Sequence, residues 1–392
     1  MSRGPLSPMP KSAAANARQL AHAFAGRGFE LIDPPVLLPA EIFVELSGED
    51  IRRRLFLVTD PSGEELCLRP DFTLPVARHY LDQAGTGEQR YTYSGPAFRC
   101  LRAEAGPVAR REFYQTGMEI FGARDAAAAE LEVIELTIAG VRALGLDQFA
   151  LRLGDPGLFN ALLNELRLPD AVQRRLRRHF WRHDLPQDLA GAVRGNGTGG
   201  QEALAAALAG LDRAAAAQLV EEVFALAGIV PVGGRSAEEI VMRFMERADA
   251  STEALSPDIA DLIRAFLEIE GEPLEAHGRM VSLLRDTAPG LGAQLDALGE
   301  RLETIRERLA GAGDIAISFD AEFGRRLEYY TGLVFEIIDP DNPELEQIAG
   351  GGRYDDLLGQ LGAVTTIPAV GAAVYVDRLL AATRERAGRG GS

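Results

Sequence analysis

Residues 93–122 read YSGPAFRCLRAEAGPVARREFYQTGMEIFG. Two runs in this stretch alternate between aromatic or apolar and polar residues: RYTYSGPAFRC up to Cys100, and REFYQTGMEIFG from Arg111. Alternation with period two predicts strands. The Gly-, Pro- and Ala-bearing LRAEAGPVAR between them predicts the loop of an antiparallel pair. Along the second strand Gln115, Gly117 and Glu119 share one face. A core-facing strand side should be apolar, because burying an unpartnered amide or carboxylate costs about 2–7 kcal/mol or more. The face is therefore either a solvent side or the floor of a polar pocket, with Gly117 leaving open floor between the two side chains.

Other segments mix polar and apolar residues in the same way. CLRPDFTLPVARHY carries Asp71 and Thr73, and RRLEYYTGLVFEI carries Arg325, Tyr329 and Tyr330, while Arg99 and Arg111 flank the connecting loop. Acids and arginines together suit a zwitterion, since carboxylates hold an ammonium and guanidinium groups hold a carboxylate.

Further out, a helix is expected from about Ala13 to Gly26 and a strand at the start of FELIDPPVLLPAEIF. A hairpin is expected from Leu55–Val58 and Leu66–Leu68 about the turn Asp60–Gly63. DFTLPVARHYL reads as a turn and then a helix. A helix from about Ala126 to Leu144 and a strand at Phe149–Leu153 follow. From Leu168 to Leu291 the chain becomes Ala-rich and helical in period. Beta character returns after Gly313 in DIAISFD, YYTGLVFEIID and IPAVGAAVYVDRLLAAT. Strand-rich sequence on both sides of a helical block predicts one α+β core with a helical insertion. The expected divisions are a flexible tail at 1–15, a core at 16–167 and 292–384, a helical insertion at 168–291 and a disordered tail at 385–392.

The chain's 392 residues allow two or three domains of ~150 residues each. Its formal charge of −17 would repel a phosphate backbone over most of the surface, which disfavours broad nucleic-acid binding. Lys11 is the only lysine, so a Walker lysine, a Schiff-base lysine and a lysine general base are excluded unless that residue supplies them. Two cysteines, Cys67 and Cys100, make no disulfide framework and suggest a reducing compartment. No window approaches 18 uninterrupted apolar residues, and a soluble, cytoplasmic protein is expected. GNGTGG at Gly195–Gly200 follows no strand and reads as a loop before a helix, not a dinucleotide fingerprint. His179 and His183 lie among five arginines that repel a metal cation, so they read as a solvated helix face. No Gly-x-Ser-x-Gly elbow occurs. No metal or cofactor is implied.

The ordered segments together resemble histidyl-tRNA synthetase, a class II synthetase, across about Leu20–Leu168 and Gly313–Thr383. LRPDFT is similar to that family's Leu-Arg-Pro-Glu-x-Thr segment, the 93–122 stretch to motif 2, and RRLEYYTGLVFE to its histidine-specific element. AGGGRYDDLLGQLG and TIPAVGAAVYVDRLL resemble its Gly-Gly-Arg-Tyr segment and motif 3. The resemblance implies a class II synthetase-like core, an antiparallel sheet flanked by helices. It implies that Asp71, Thr73 and Gln115 hold the α-amino group of histidine, that Glu119 and Tyr330 grip the imidazole, and that Arg325 meets the carboxylate. Arg111 and Tyr329 join this histidine-binding set.

The nucleotide half departs from the family. Arg99 and Arg378 stand at the motif 2 and motif 3 arginines as a residual nucleotide site. Leu101, however, replaces a motif 2 glutamate, Tyr375 a motif 3 glycine, Asp377 a glutamate and Arg326 a glycine. Together these changes imply lost or poor adenylate formation. Only 14 residues follow Arg378, which implies that the anticodon-binding domain is missing and tRNA is not a partner.

This combination resembles the regulatory subunits of ATP phosphoribosyltransferase, non-catalytic paralogues of the synthetase. The expectation is a histidine-binding homodimer within a hetero-oligomer. It would activate and feedback-regulate a short catalytic subunit in the first step of histidine biosynthesis. The motif 1 region, about Phe29–Leu57, is the candidate self-dimer surface by resemblance. Two alternatives stay open: a truncated synthetase that activates histidine for a non-tRNA acceptor, and a free-standing histidine-binding module.

Overall fold

The computed structural model describes residues 11–46, 51, 53–83, 87–101, 110–182, 189, 218, 222, 255–311, 315–324 and 329–390. Backbone contacts divide the chain into one unit of Met1–Phe159 with Glu268–Ser392, and a second of Asn160–Leu267. GNGTGG, His183 and most of the Ala-rich block lie outside the described residues. His179 falls in the helix Asp170–Arg182 of the second unit.

The first unit is built on a nine-stranded sheet. In chain order its strands are β1 (Glu30–Leu31), β5 (Gln89–Phe98), β6 (Glu112–Phe121), β7 (Phe149–Gly154), β8 (Glu270–Gly271), β9 (Ile315–Asp320), β10 (Val334–Ile338), β11 (Gln347–Arg353) and β12 (Ala369–Tyr375). Their spatial order is β1-β5-β6-β12-β11-β10-β7-β9-β8. Only β1–β5 and β7–β9 run parallel; the other pairs are antiparallel. The 93–122 stretch forms the predicted antiparallel pair, with Tyr93 opposite Gly117 and Tyr91 opposite Glu119.

Alternation decides which side of β6 meets what. Thr116, Met118 and Ile120 are fully buried toward the helical layer, where Thr116 Oγ1 donates to the Ala17 carbonyl at 2.9 Å. Three helices, Lys11–Ala25, Ala126–Ala143 and Val376–Gly390, cover this side. Gly140 lets two of them close, since a Cβ there would stand 2.8 Å from Leu20 Cδ1. Asp125 caps the second helix by accepting from the Ala128 N–H at 3.0 Å, satisfying one of its free first-turn donors. The opposite side carries the odd-numbered set, Gln115, Gly117 and Glu119.

A separate three-stranded sheet, β2 (Leu37–Pro39), β3 (Phe56–Thr59) and β4 (Glu65–Leu68), contains the predicted hairpin, with Leu57 opposite Cys67. Its turn is held by Asp60 Oδ1, which accepts from the Ser62 and Glu64 N–H groups. Leu31, Val36, Leu37, Leu57 and Val58 remain exposed around it.

Several expectations need correction. The first helix begins at Lys11, inside the expected 1–15 tail, and places Ala13 fully in the core. A helix at Ala40–Leu46 went unpredicted. Residues 268–271 are not helical: Glu270 pairs with Asp320 and Gly271 with Phe319. The helix Pro273–Leu284 then packs on β9, so residues 268–291 cluster with the sheet unit. At the other end the helix from Val376 continues to Gly390, where composition predicted disorder. Arg386 fixes that last stretch through Asp339 at 2.5 Å and Asp341 at 3.0 Å. Among the described residues no helix is long and apolar enough to cross a membrane.

Candidate functional site

Glu119 is the centre of the polar side of the sheet, and it is only 1% exposed. Thr73 Oγ1 donates to its Oε1 at 3.0 Å and the Tyr93 hydroxyl at 3.1 Å, while the Tyr354 hydroxyl donates to Oε2. Burial pushes its pKa up to about 7, against the pull of the three hydroxyl donors. The same burial, with Glu119 beside them, raises the Tyr93 and Tyr354 phenols well above their usual value.

Two glycines make room for this arrangement. Gly117 does not leave open floor, as alternation suggested: a Cβ there would collide with the Tyr93 hydroxyl, so the glycine exists to admit that phenol. Gly371 lies opposite Glu119 on β12, and a Cβ there would fall inside the Glu119 carboxylate.

Beside this core a cavity of about 310 Å³, counting its open mouth, is lined by Asp71, Thr73, Tyr93, Gln115, Tyr330 and Tyr375, among others. Asp71 precedes the helix Thr73–Asp82, and the two residues project from one short arm between β4 and that helix. Gln115 is 1% exposed, and its Oε1 meets no hydrogen-bond donor among the described residues. A buried acceptor left in that state costs about 1–3 kcal/mol, a cost that a ligand N–H would offset. Tyr329 and Tyr330 close another side, with ring centroids 4.9 Å apart and each packed against Tyr354. Their loop is pinned by Thr331, whose N–H donates to Arg353 and whose Oγ1 accepts from the Asp355 N–H, each at 2.9 Å.

The structure thus gathers Asp71, Thr73, Gln115, Tyr329, Tyr330 and Arg99 around one cavity. Glu119 stands behind the wall and touches it through Thr73 and Tyr93. Arg111 is not brought in: it is exposed at the entrance to β6. Arg325 lies outside the described residues. Three residues went unassigned in the sequence. Tyr354 stood in the quoted Gly-Gly-Arg-Tyr segment, Tyr93 in the opening strand and Gly371 in PAVGAAVY. Tyr93 and Gly371 lie on the two strands that flank β6, whereas Tyr354 follows β11, one strand further out, and only the fold brings it to Glu119.

The mouth is shaped by Tyr375, paired with Gln115 across β12 and β6. Arg99 donates to its hydroxyl from Nη1 at 3.4 Å and to the Pro70 carbonyl from Nε at 2.8 Å. The Arg378 guanidinium lies 4.8 Å from the same ring. Arg378 donates at 2.8 Å both to the Gln347 carbonyl and to Glu346. Asp377 turns inward and accepts from the Tyr114 N–H at 2.7 Å, with burial raising its pKa. A phenol therefore fills the space between the two arginines, and Arg378 is already paired.

A mixed sheet with these strands converging on a buried glutamate defines a protein on the histidyl-tRNA synthetase fold. That family's profile matches residues 6–239 and 215–379. Solved structures agree. A Bacillus halodurans C protein described as an ATP phosphoribosyltransferase regulatory subunit/histidyl-tRNA synthetase superposes with TM-score 0.64 at 22% identity, covering 97% of this chain and 82% of its own. Histidyl-tRNA synthetase from Nostoc sp. PCC 7120 gives 0.60 at 17% identity, covering 99% of this chain and 76% of its own. Sequence narrows the class further. ATP phosphoribosyltransferase regulatory subunits from Brucella canis and Brucella suis are each 37% identical over 368 residues, 92% of this chain and 95% of theirs. The chain belongs to the ATP phosphoribosyltransferase regulatory subunit family.

Proposed function

We propose that this chain binds histidine in the Gln115 pocket and that binding feedback-regulates a short catalytic ATP phosphoribosyltransferase subunit, which the chain also activates. One observation carries the ligand class. The Gln115 carboxamide oxygen, buried and lacking a donor among the described residues, opens onto a cavity shared with the Asp71 carboxylate, as an ammonium group requires. By resemblance Glu119 and Tyr330 supply the imidazole end: Tyr330 lines the cavity, and Glu119 stands behind its wall, joined to it through the Thr73 and Tyr93 hydroxyls. The role is non-catalytic: Tyr375 lies against both Arg99 and Arg378, the arginines that by resemblance would meet the ATP phosphates. A charge of −17 argues against tRNA as partner. Self-association through the β2–β4–β3 side, with a second copy covering Leu37, Leu57 and Val58, accounts for apolar residues otherwise left to solvent.

Regulation requires that histidine bind the more and less active complexes with different affinity, a difference worth ~1–3 kcal/mol in typical allosteric pairs. The test is reconstitution with a short catalytic subunit, measuring turnover with and without histidine. The proposal expects turnover to rise on mixing and to become histidine-dependent. No gain on mixing would leave only a free-standing binding module. Robust histidine-dependent exchange of pyrophosphate into ATP by the isolated chain would make it an enzyme.

A further inference from the structure

Arg69 is among the largest side chains fully withdrawn from solvent, at 1% exposure. Burying a guanidinium is costly unless its donors are satisfied, and here two of its nitrogens donate to backbone carbonyls. Nε donates to the Pro96 carbonyl at 2.9 Å and Nη1 to the Pro34 carbonyl. Its own backbone is clamped between Val36 and Phe98, at 2.8 and 3.0 Å. Burial lowers its pKa to about 10, opposed by Asp33. The guanidinium lies 4.0 Å from the Phe72 ring centroid, and Phe72 stacks on Tyr93 at 4.5 Å with 6° between planes. Phe72 and Tyr93 both line the pocket.

We propose that Arg69 is a positioning residue for the pocket: it fixes the Asp71–Phe72–Thr73 arm that meets the ligand's ammonium group. Three links support this. Arg69 grips two backbone segments, the approach to β2 at Pro34 and the end of β5 at Pro96. Its guanidinium also sits over the ring of the arm's central residue, 4.0 Å from the Phe72 centroid. Tyr93, packed on Phe72, is held by its own strand, so Arg69 secures the middle of an arm whose ends are held by Arg99 at Pro70 and by Glu119 at Thr73. The planar fork suits this task and a lysine does not, because only a guanidinium donates in two directions while stacking on a ring. Gly95 belongs to the same device, since a Cβ there would stand 2.5 Å from Arg69 Nη2 and 3.2 Å from Phe72.

The inference rests on the histidine reading, and its test separates the two. Affinities for histidine and for imidazolepropionate, which lacks the amino group, are measured by calorimetry on the full chain. The proteins are the wild type, Arg69→Lys and Gly95→Ala, with thermal unfolding as the control for folding. Wild type is expected to prefer histidine. Arg69→Lys should lose about tenfold of that preference, the scale of effects from groups that orient a binding residue from behind. The loss should fall on histidine and spare imidazolepropionate. Gly95→Ala, which displaces the guanidinium without removing its charge, should shift the ratio in the same direction. Folded variants that keep the wild-type ratio overturn the proposal, and Gly95→Ala decides alone if Arg69→Lys unfolds. Variants that weaken both ligands equally also overturn it, because a purely structural role would do that. Failure of the wild-type chain to bind histidine at all would count against the histidine reading itself.

Discussion

Arg99 and Tyr375 meet at the mouth of the pocket, guanidinium Nη1 to phenol oxygen at 3.4 Å. The ring also packs on Phe113, with centroids 5.7 Å apart, and takes Arg378 against it. Both arginines that resemblance assigns to a residual nucleotide site are thus turned toward an aromatic ring on β12. Tyr375→Gly should remove that obstruction, at a cost of ~3 kcal/mol for deleting a buried aromatic. ATP affinity should rise by at least about tenfold over wild type, the equivalent of ~1.4 kcal/mol. Calorimetric titration with ATP checks this, and wild-type affinity already matching the variant would contradict it.

Gly371 and Gly278 should respond oppositely to the same substitution. Gly371→Ala drives a methyl into the Glu119 carboxylate, while an added Cβ at Gly278, inside the helix Pro273–Leu284, meets nothing within 4 Å. Gly371→Ala should cost ~1–3 kcal/mol as overpacking and displace Glu119. Gly278→Ala should stabilise by ~0.4–1 kcal/mol through chain entropy and helix propensity. Denaturant unfolding of the two variants reads both signs.

Glu119 should make stability fall as pH rises through the weakly acidic range. Its pKa is about 7 in the fold against an ordinary 4.5, so between those values the folded chain holds more protons than the unfolded one. The stabilisation is complete below about 4.5 and is lost as pH climbs to about 7. Glu130, also near 7 through burial, contributes in the same direction despite Arg301 and Arg353 beside it. Glu119→Gln should flatten part of this slope, measured as melting temperature against pH between 4.5 and 7.5. An unchanged slope would remove Glu119 from the titration.

How much of this was legible in the sequence depends on how local each signal is. The β5–β6 pair was readable because period-two alternation needs no partner, and the β3–β4 hairpin because Asp60 and Gly63 announce its turn. The common face of Gln115 and Glu119 followed from spacing alone. What Gly117 was for did not, because the phenol that needs its space comes from Tyr93 on another strand. Tyr354 and Gly371 reach Glu119 from positions more than 230 residues away in the chain. No local pattern reports a contact closed at that distance. The disordered tail expected from glycine content failed for the same reason, since the acids that bind Arg386 lie on the segment after β10.

The central claim is that the Gln115 pocket takes histidine, and calorimetric titration of wild type against Gln115→Leu tests it most directly. A hydrogen bond to a charged ammonium is worth ~1.5–3 kcal/mol, so the account predicts saturable histidine binding that weakens by about tenfold or more in the variant. Thermal stability should hold or improve, because the substitution removes a buried oxygen that lacks a donor. Equal histidine affinity in the two proteins, or no binding by either, would contradict the account.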